Sequence, residues 1–115
     1  MKLLIVGSRG ITNFNLSPYI PNDIDAIISG VANGIDALAE QYADDHRISK
    51  YIIRPKYNIY GRAAPLYRNK DMVDMADFVL IIWDGKSKGT KYTIDYTKKI
   101  NKNCEVVIVG DVLAR

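Results

Sequence analysis

The sequence has one cysteine, Cys104, so no intramolecular disulfide can form and the chain reads as cytoplasmic. It has one histidine, His46, which follows Asp44-Asp45 at the end of a predicted helix. With no His/Cys cluster there is nothing to build a structural zinc site, and no Ser-His-acid constellation can be assembled. Neither a metal nor a cofactor is expected. Long apolar runs are also missing. No window approaches the ~18 residues of a membrane helix. The N-terminal run Leu3–Val6 stops at Gly7, short of the roughly 7–15 residues of a secretory core segment. The 16 basic and 13 acidic residues leave a formal charge of only +3, with no run of five basic residues. That is compatible with an anionic ligand and argues against a nucleic-acid binder. Two nucleotide signatures are lacking as well. No Gly-x-x-x-x-Gly-Lys-Ser/Thr occurs, and no Gly-x-Gly-x-x-Gly follows the first strand. The second strand ends in Ile28-Ser29 rather than in an acid placed for a ribose, so a dinucleotide-dependent dehydrogenase is not expected.

What is present is an alternation of short apolar runs and helical patterns. Strands are predicted at Leu3–Val6, Ala26–Ser29, Tyr51–Ile53, Phe78–Trp83 and Glu105–Val109. Helices are predicted at Gly34–Asp45, with an Ile35/Leu38/Ala39/Tyr42 stripe, at Ala63–Met75, with Leu66, Met72, Val73 and Met75 inward, and at Thr90–Ile100 around Ile94. Residues 13–20 offer at most a helical turn between prolines, and Lys56–Gly61 reads as loop. A spacing of about 20–30 residues between strands implies βαβ crossovers. The expectation is one α/β domain over residues 1–115, a Rossmann-like, mostly parallel five-stranded sheet ordered 3-2-1-4-5, with helices on both faces. Ligands in such sheets bind outside the carboxyl ends of the strands, at the switch point.

In that arrangement most of the glycines fall on one edge. They lie in Gly7-Ser8-Arg9-Gly10, in Gly30 to Asp36, in Arg54 to Arg62, and in Asp84-Gly85-Lys86-Ser87-Lys88-Gly89-Thr90. Glycine permits positive φ and close approach of backbone to a ligand. Amide groups at a helix start form an anion cradle, and Gly89-Thr90 fits that role. Ser8 and Arg9 add a hydroxyl and a guanidinium. Several residues carry two readings. Asp36 either caps a helix or holds a ribose or water. Arg68 is either a solvated side chain or a phosphate contact. Trp83 closes the core or stacks on a base, with Tyr57 and Tyr60 as further aromatic walls. The eight tyrosines roof a small core or line a pocket or interface. Asp77 caps or bridges to a neighbour, and Cys104 packs.

Gly7-Ser8-Arg9, Ser29-Gly30 with Gly34-x-Asp36, Arg68-Asn69-x-x-Met72, Ala76-Asp77 and Gly85-x-Ser87-x-Gly89-Thr90 together resemble the SLOG superfamily. Within it the chain is most similar to the small stand-alone YspA/YpsA-related branch, a domain of unknown function related to cytokinin-activating nucleotide phosphoribohydrolases and to the Smf/DprA proteins. The resemblance runs from Lys2 to about Val109. It implies a nucleotide-like or phosphorylated ligand held by Gly85, Ser87, Gly89 and Thr90, with Arg68 and Asn69 at an Arg-Lys-x-x-Met position. It also implies pairing into a homodimer or higher oligomer, for which the tyrosines, Met72 and Met75 suit an interface. The chain departs from the hydrolase branch at one place: the glutamate three residues after Gly-Thr is Thr93. The expected function is therefore binding or sensing of such a ligand. The alternative is N-glycosidic hydrolysis with Asp36 or Asp84 as the acid.

Overall fold

Leu3–Val6 and Val79–Ile82 are buried on both sides, as their unbroken apolar character requires of central strands. The computed structural model describes residues 1–110; the end of the expected domain, 111–115, lies outside the described residues. The strands are β1 (Lys2–Gly7), β2 (Ala26–Ser29), β3 (Ser49–Ile52), β4 (Phe78–Trp83) and β5 (Cys104–Ile108). They form one parallel sheet in the order β3-β2-β1-β4-β5, the order expected. Helices α1 (Ile35–Asp45), α3 (Ala64–Met75) and α4 (Lys88–Lys99) are its main crossovers, and a single turn, α2 (Tyr57–Tyr60), precedes α3.

Successive strand residues point to opposite faces and so divide the core in two. Leu3, Ile5, Ile27, Leu80 and Ile82 pack with Ile35, Ala39 and Ala43 of α1, and with Ile11 and Leu16 from the segment after β1. Leu4, Val6, Ile28, Val79 and Ile81 pack on the other face with Met72 and Val73 of α3 and Ile94 of α4. Full burial of each such aliphatic side chain contributes about 1.5–3 kcal/mol. Asp77 bridges to β1. Its carboxylate accepts from the Lys2 amide at 2.7 Å, and its own amide donates to the Lys2 carbonyl at 2.9 Å. His46 stacks on Tyr42 at 3.9 Å and has no part in the glycine edge.

Several boundaries differ from the sequence reading. Residues 57–60, expected as loop, form α2. The Ile59 and Tyr60 amides both donate to the Lys56 carbonyl, and Tyr60 stacks on Tyr67 of α3 at 4.0 Å. Four residues are too few to show a period, and the turn is supported by that tertiary contact. A 3-10 turn at Gly61–Ala63 joins it to α3. The strand expected from Tyr51 begins at Ser49, because edge-strand backbone pairs with Ala26 and Ile27 while its side chains stay exposed. The helix expected from Thr90 begins at Lys88, since Ser87 supplies the cap. In α3 the inward line is Ala64, Arg68, Met72 and Val73. Met75 is exposed and Leu66 only half-buried, whereas Met72 is fully buried and cannot serve a pairing surface.

Among the described residues no helix is long and apolar enough to cross a membrane. Nor do three or more His, Cys, Asp or Glu side chains group there as a metal ion would need.

Candidate functional site

The chain leaves β1 toward β2 and β3 on one side, then crosses back to β4 and β5 on the other. The ends of β1 and β4 therefore diverge into a crevice. A cavity of about 380 Å³ lies there, between the loops after β1, β2 and β4 and the starts of α3 and α4. That is within the roughly 300–1,000 Å³ of small-molecule sites.

The β1 end is closed by packing. A Cβ on Gly7 would stand 2.3 Å from the Ile82 carbonyl oxygen and 2.6 Å from the Ile35 side chain, so only glycine lets β1, β4 and α1 meet. The Ser8 amide donates to the Ile82 carbonyl at 3.0 Å, and its hydroxyl accepts from the Asp84 amide at 3.1 Å. Ser8 thus ties the two switch-point loops together and is not on the cavity wall. Arg9 and Gly10 are exposed on the cavity rim.

The β2 end brings two opposite charges together over a glycine. A Cβ on Gly30 would fall 2.6 Å from Arg68 Nη1 and 2.7 Å from Asp36 Oδ2. Asp36 sits in the first turn of α1 but reaches back out of the helix, accepting from the Ala32 amide at 3.2 Å. Burial holds its carboxyl above the ordinary value, against the opposing influence of the Ala32 amide and of Arg68 and Arg9. The sign of the consequence follows. The native state keeps the Asp36 proton to higher pH than the unfolded chain does, so this group lowers stability as pH rises above about 4. Asp36→Asn removes that titration. Urea midpoints measured from pH 4 to 7 are expected to show the variant gaining on the wild type as pH rises. Parallel curves would refute the assignment.

Arg68 is buried on α3 rather than solvated. Its Nε donates to Asn69 Oδ1 at 2.9 Å and its Nη1 to the Ile53 carbonyl at 3.3 Å. Burial lowers the proton affinity of its guanidinium, with Asp36 and Tyr57 opposing that, yet arginine stays charged. Asn69 Nδ2 in turn donates to Thr93 Oγ1 at 2.9 Å, and Thr93 Oγ1 to the Gly89 carbonyl at 3.1 Å. A continuous polar line therefore runs from Arg68 to the first turn of α4. Thr93, which the sequence marked only as a missing glutamate, is a buried member of the cavity wall.

The β4 loop is braced from within. Asp84 Oδ1 accepts from the Lys86 and Ser87 amides, both at 2.8 Å, and these bonds hold its carboxyl below the ordinary range. Gly85 turns the chain at φ +81°. Trp83 does not stand on the cavity wall; its indole N–H donates to the Ser87 carbonyl at 3.0 Å, and its ring packs on the core. Ser87 Oγ accepts from the Thr90 amide at a long 3.4 Å. The Lys88 and Gly89 amides, at the first two helical positions, point ahead of the helix without an intrahelical acceptor. Beyond its chain neighbours and the backbone of its own helix, nothing lies within 4 Å of a Cβ built on Gly89, so the packing gives no reason for glycine there.

Of the residues singled out in the sequence, Gly7, Arg9, Asp36, Arg68, Asn69, Asp84, Ser87, Gly89 and Thr90 meet around this cavity. Ser8, Gly30, Gly34 and Gly85 do not stand on its wall. No family model, curated protein or solved structure matches the chain. The likeness to the SLOG superfamily therefore rests on its motifs, and the architecture is that of a generic Rossmann-like domain.

Proposed function

We propose that the protein binds a nucleotide-derived or comparable phosphorylated small molecule in this cavity, as a binding or sensing domain. One observation carries the reading. Arg68 is held nearly buried with two of its five N–H donors satisfied among the described residues, and it lines the same cavity as the first turn of α4. An anion between them gains charge-assisted hydrogen bonds from the guanidinium and from the backbone N–H of Gly89, with the Thr90 side chain on the wall beside it. The side-chain-free surface of Gly89 leaves room for it, and Arg9 on the rim adds charge. No metal is needed to balance a single phosphate there.

A second reading, hydrolysis of an N-glycosidic bond, draws on one specific feature, the raised carboxyl of Asp36 beside Arg68. A carboxyl of raised proton affinity on the cavity wall is the kind of group that can protonate a leaving base. Asp84 fits that role less well, since two amides stabilise its ionised form.

Thr90→Tyr is expected to abolish binding of AMP and of ribose 5-phosphate, because its ring would fill the space in front of the α4 amides. Asp95→Asn should leave binding unchanged, since Asp95 is exposed and pairs with Lys91. Calorimetric titration of both variants, checked for folding by circular dichroism, decides the matter. Unaltered affinity in a folded Thr90→Tyr protein rejects the site. Free base or ribose 5-phosphate accumulating in the wild-type mixture favours the hydrolase, and its loss in Asp36→Asn would identify the acid.

A further inference from the structure

Between Asp45 and Asp71 the sequence holds seven of its 16 basic residues and no Asp or Glu, a strongly positive segment in a chain of only +3. Lys50 pairs with Glu40 and Asp44, Arg68 is buried, and Arg47 lies before β3, at the other end of that strand. Arg54, Lys56, Arg62 and Lys70 remain on the flank built by α2 and α3, and none of them forms an ion pair among the described residues. The same flank exposes Tyr57, Ile59, Tyr60, Tyr67 and Met75. An exposed apolar cluster rimmed by charge marks an interaction surface. The tightest grouping is at α2, which buries none of its residues and leaves Ile59 63% and Tyr57 58% exposed. Arg54 and Lys56 precede this apolar turn and Arg62 follows it. A hollow of about 570 Å³ beside α2 brings Arg54, Lys56, Tyr60 and Met75 to one surface. Tyr60 stacks on Tyr67, whose ring lies 5.8 Å from the Lys70 ammonium. Of the acids that follow on α3, Asp71 lines this hollow and Asp74 accepts from the Tyr96 hydroxyl at 2.6 Å, so cations still outnumber acids there.

We propose that this flank docks on an anionic lipid surface, with the α2 turn as its inserted tip. The proposal is independent of what the cavity holds, since neither Tyr57 nor Tyr60 stands on the cavity wall. At a bilayer surface an aliphatic side chain enters the acyl boundary, tyrosine rings settle at headgroup level, and arginine and lysine meet anionic headgroups. Ile59, then Tyr57 with Tyr60, then the collar of Arg54, Lys56 and Arg62 supply these three parts within nine residues. Two other partners fit the face less well. A second copy paired about a twofold axis through it would set these cations against their own images. A single-stranded nucleic acid would need open ring faces for its bases. Tyr60 has one face against Tyr67, and Ile59, the most exposed of the group, has no ring.

The test is co-sedimentation of the full chain with vesicles of phosphatidylcholine alone and of phosphatidylcholine mixed with phosphatidylserine. The wild type should pellet with the mixed vesicles at low salt, stay in solution with phosphatidylcholine alone, and be released at about 0.5 M salt. Ile59→Ser should weaken binding by roughly tenfold. Lys56→Gln/Arg62→Gln should weaken it by roughly 25-fold, about fivefold for each cation removed. Lys98→Gln/Lys99→Gln, the same charge change on exposed residues at the far end of α4, should leave binding as it was. All the substituted side chains lie outside the core, and circular dichroism confirms that each variant is folded. Absence of wild-type pelleting with phosphatidylserine overturns the proposal. So does binding that falls equally in the α4 variant, because net charge and not this flank would then be responsible. An oligothymidylate that binds the wild type where vesicles do not would assign the face to nucleic acid instead. A dimer in sedimentation that Ile59→Ser dissolves would assign it to a second copy of the chain.

Discussion

Gly34→Ala is expected to cost about 4 kcal/mol or more, a large part of the roughly 5–15 kcal/mol that holds a small domain together. Two independent penalties meet at this position. Gly34 caps α1 at φ +71°, ψ −127°, a conformation that L side chains rarely adopt, worth about 1–3 kcal/mol by itself. Its missing Cβ would also lie 2.4 Å from the Arg9 carbonyl oxygen and 2.6 Å from that of Ser8. These are backbone atoms of the loop after β1, and they cannot rotate away as a side chain would. Relief would require the loop to leave β4, breaking the bonds Ser8 makes to Ile82 and Asp84. Gly89→Ala is the control within the same experiment. It lies in the first turn of α4 with open space around it, so alanine should be neutral or stabilising by up to about 1 kcal/mol. Urea unfolding of both variants separates the two kinds of glycine. A Gly34→Ala midpoint close to that of the wild type would mean that the α1 entry is not as tight as described.

That contrast explains how much of the site was legible in the sequence. The edge on which the glycines fall was correct, because strand–loop–helix order alone decides which loops share an edge. The role of each glycine was not. Gly7, Gly30 and Gly34 are required by close approach of the protein to itself, whereas Gly89 is not, and composition cannot tell these apart. The sequence offers the Ser8 hydroxyl to a ligand, yet that hydroxyl accepts from the amide of Asp84, 76 positions away. Arg68 was readable in principle. It stands four residues from both Ala64 and Met72, hence on the buried line of α3, and a charged residue on such a line is the signal of a lined cavity.

The same limit applies to α4. Its buried face holds Thr90, Thr93 and Thr97 beside Ile94, and apolar periodicity registers only the isoleucine. The threonines can be buried because their hydroxyls are satisfied within the helix: Thr93 donates to the Gly89 carbonyl and Thr97 to the Thr93 carbonyl, at 3.1 and 2.7 Å. The central strands were the easiest to read, since Phe78–Trp83 needed no alternation to be placed beside β1. The sequence signals the edge strand β3 only from Tyr51, because the side chains before it are polar and exposed and backbone pairing alone assigns Ser49 and Lys50 to the sheet.

Arg68→Met is expected to produce the largest functional loss, a fall of roughly 100-fold or more in affinity for AMP. The methionine keeps most of the buried stem of the side chain while removing the fork. Each charge-assisted hydrogen bond to a phosphate contributes about 1.5–3 kcal/mol, and loss of even one pair of such bonds corresponds to a hundredfold or more. Arg68→Lys should recover only part of this. A lysine retains the charge but cannot use a guanidinium fork to hold Asn69, the Ile53 carbonyl and a ligand together. The effect on stability runs through Asp36. Without the neighbouring cation the buried carboxyl loses an influence that lowers its pKa, so its proton is held to still higher pH. Arg68→Met should then lose stability more steeply than the wild type as pH rises above about 4, and Arg68→Met/Asp36→Asn should not. Measuring affinity by calorimetry and stability by urea unfolding on the same three proteins keeps the two consequences apart. Wild-type affinity in Arg68→Met would remove the cavity's principal cation from the site. A pH slope that Asp36→Asn fails to relieve would show that the two side chains, though packed across Gly30, are not coupled.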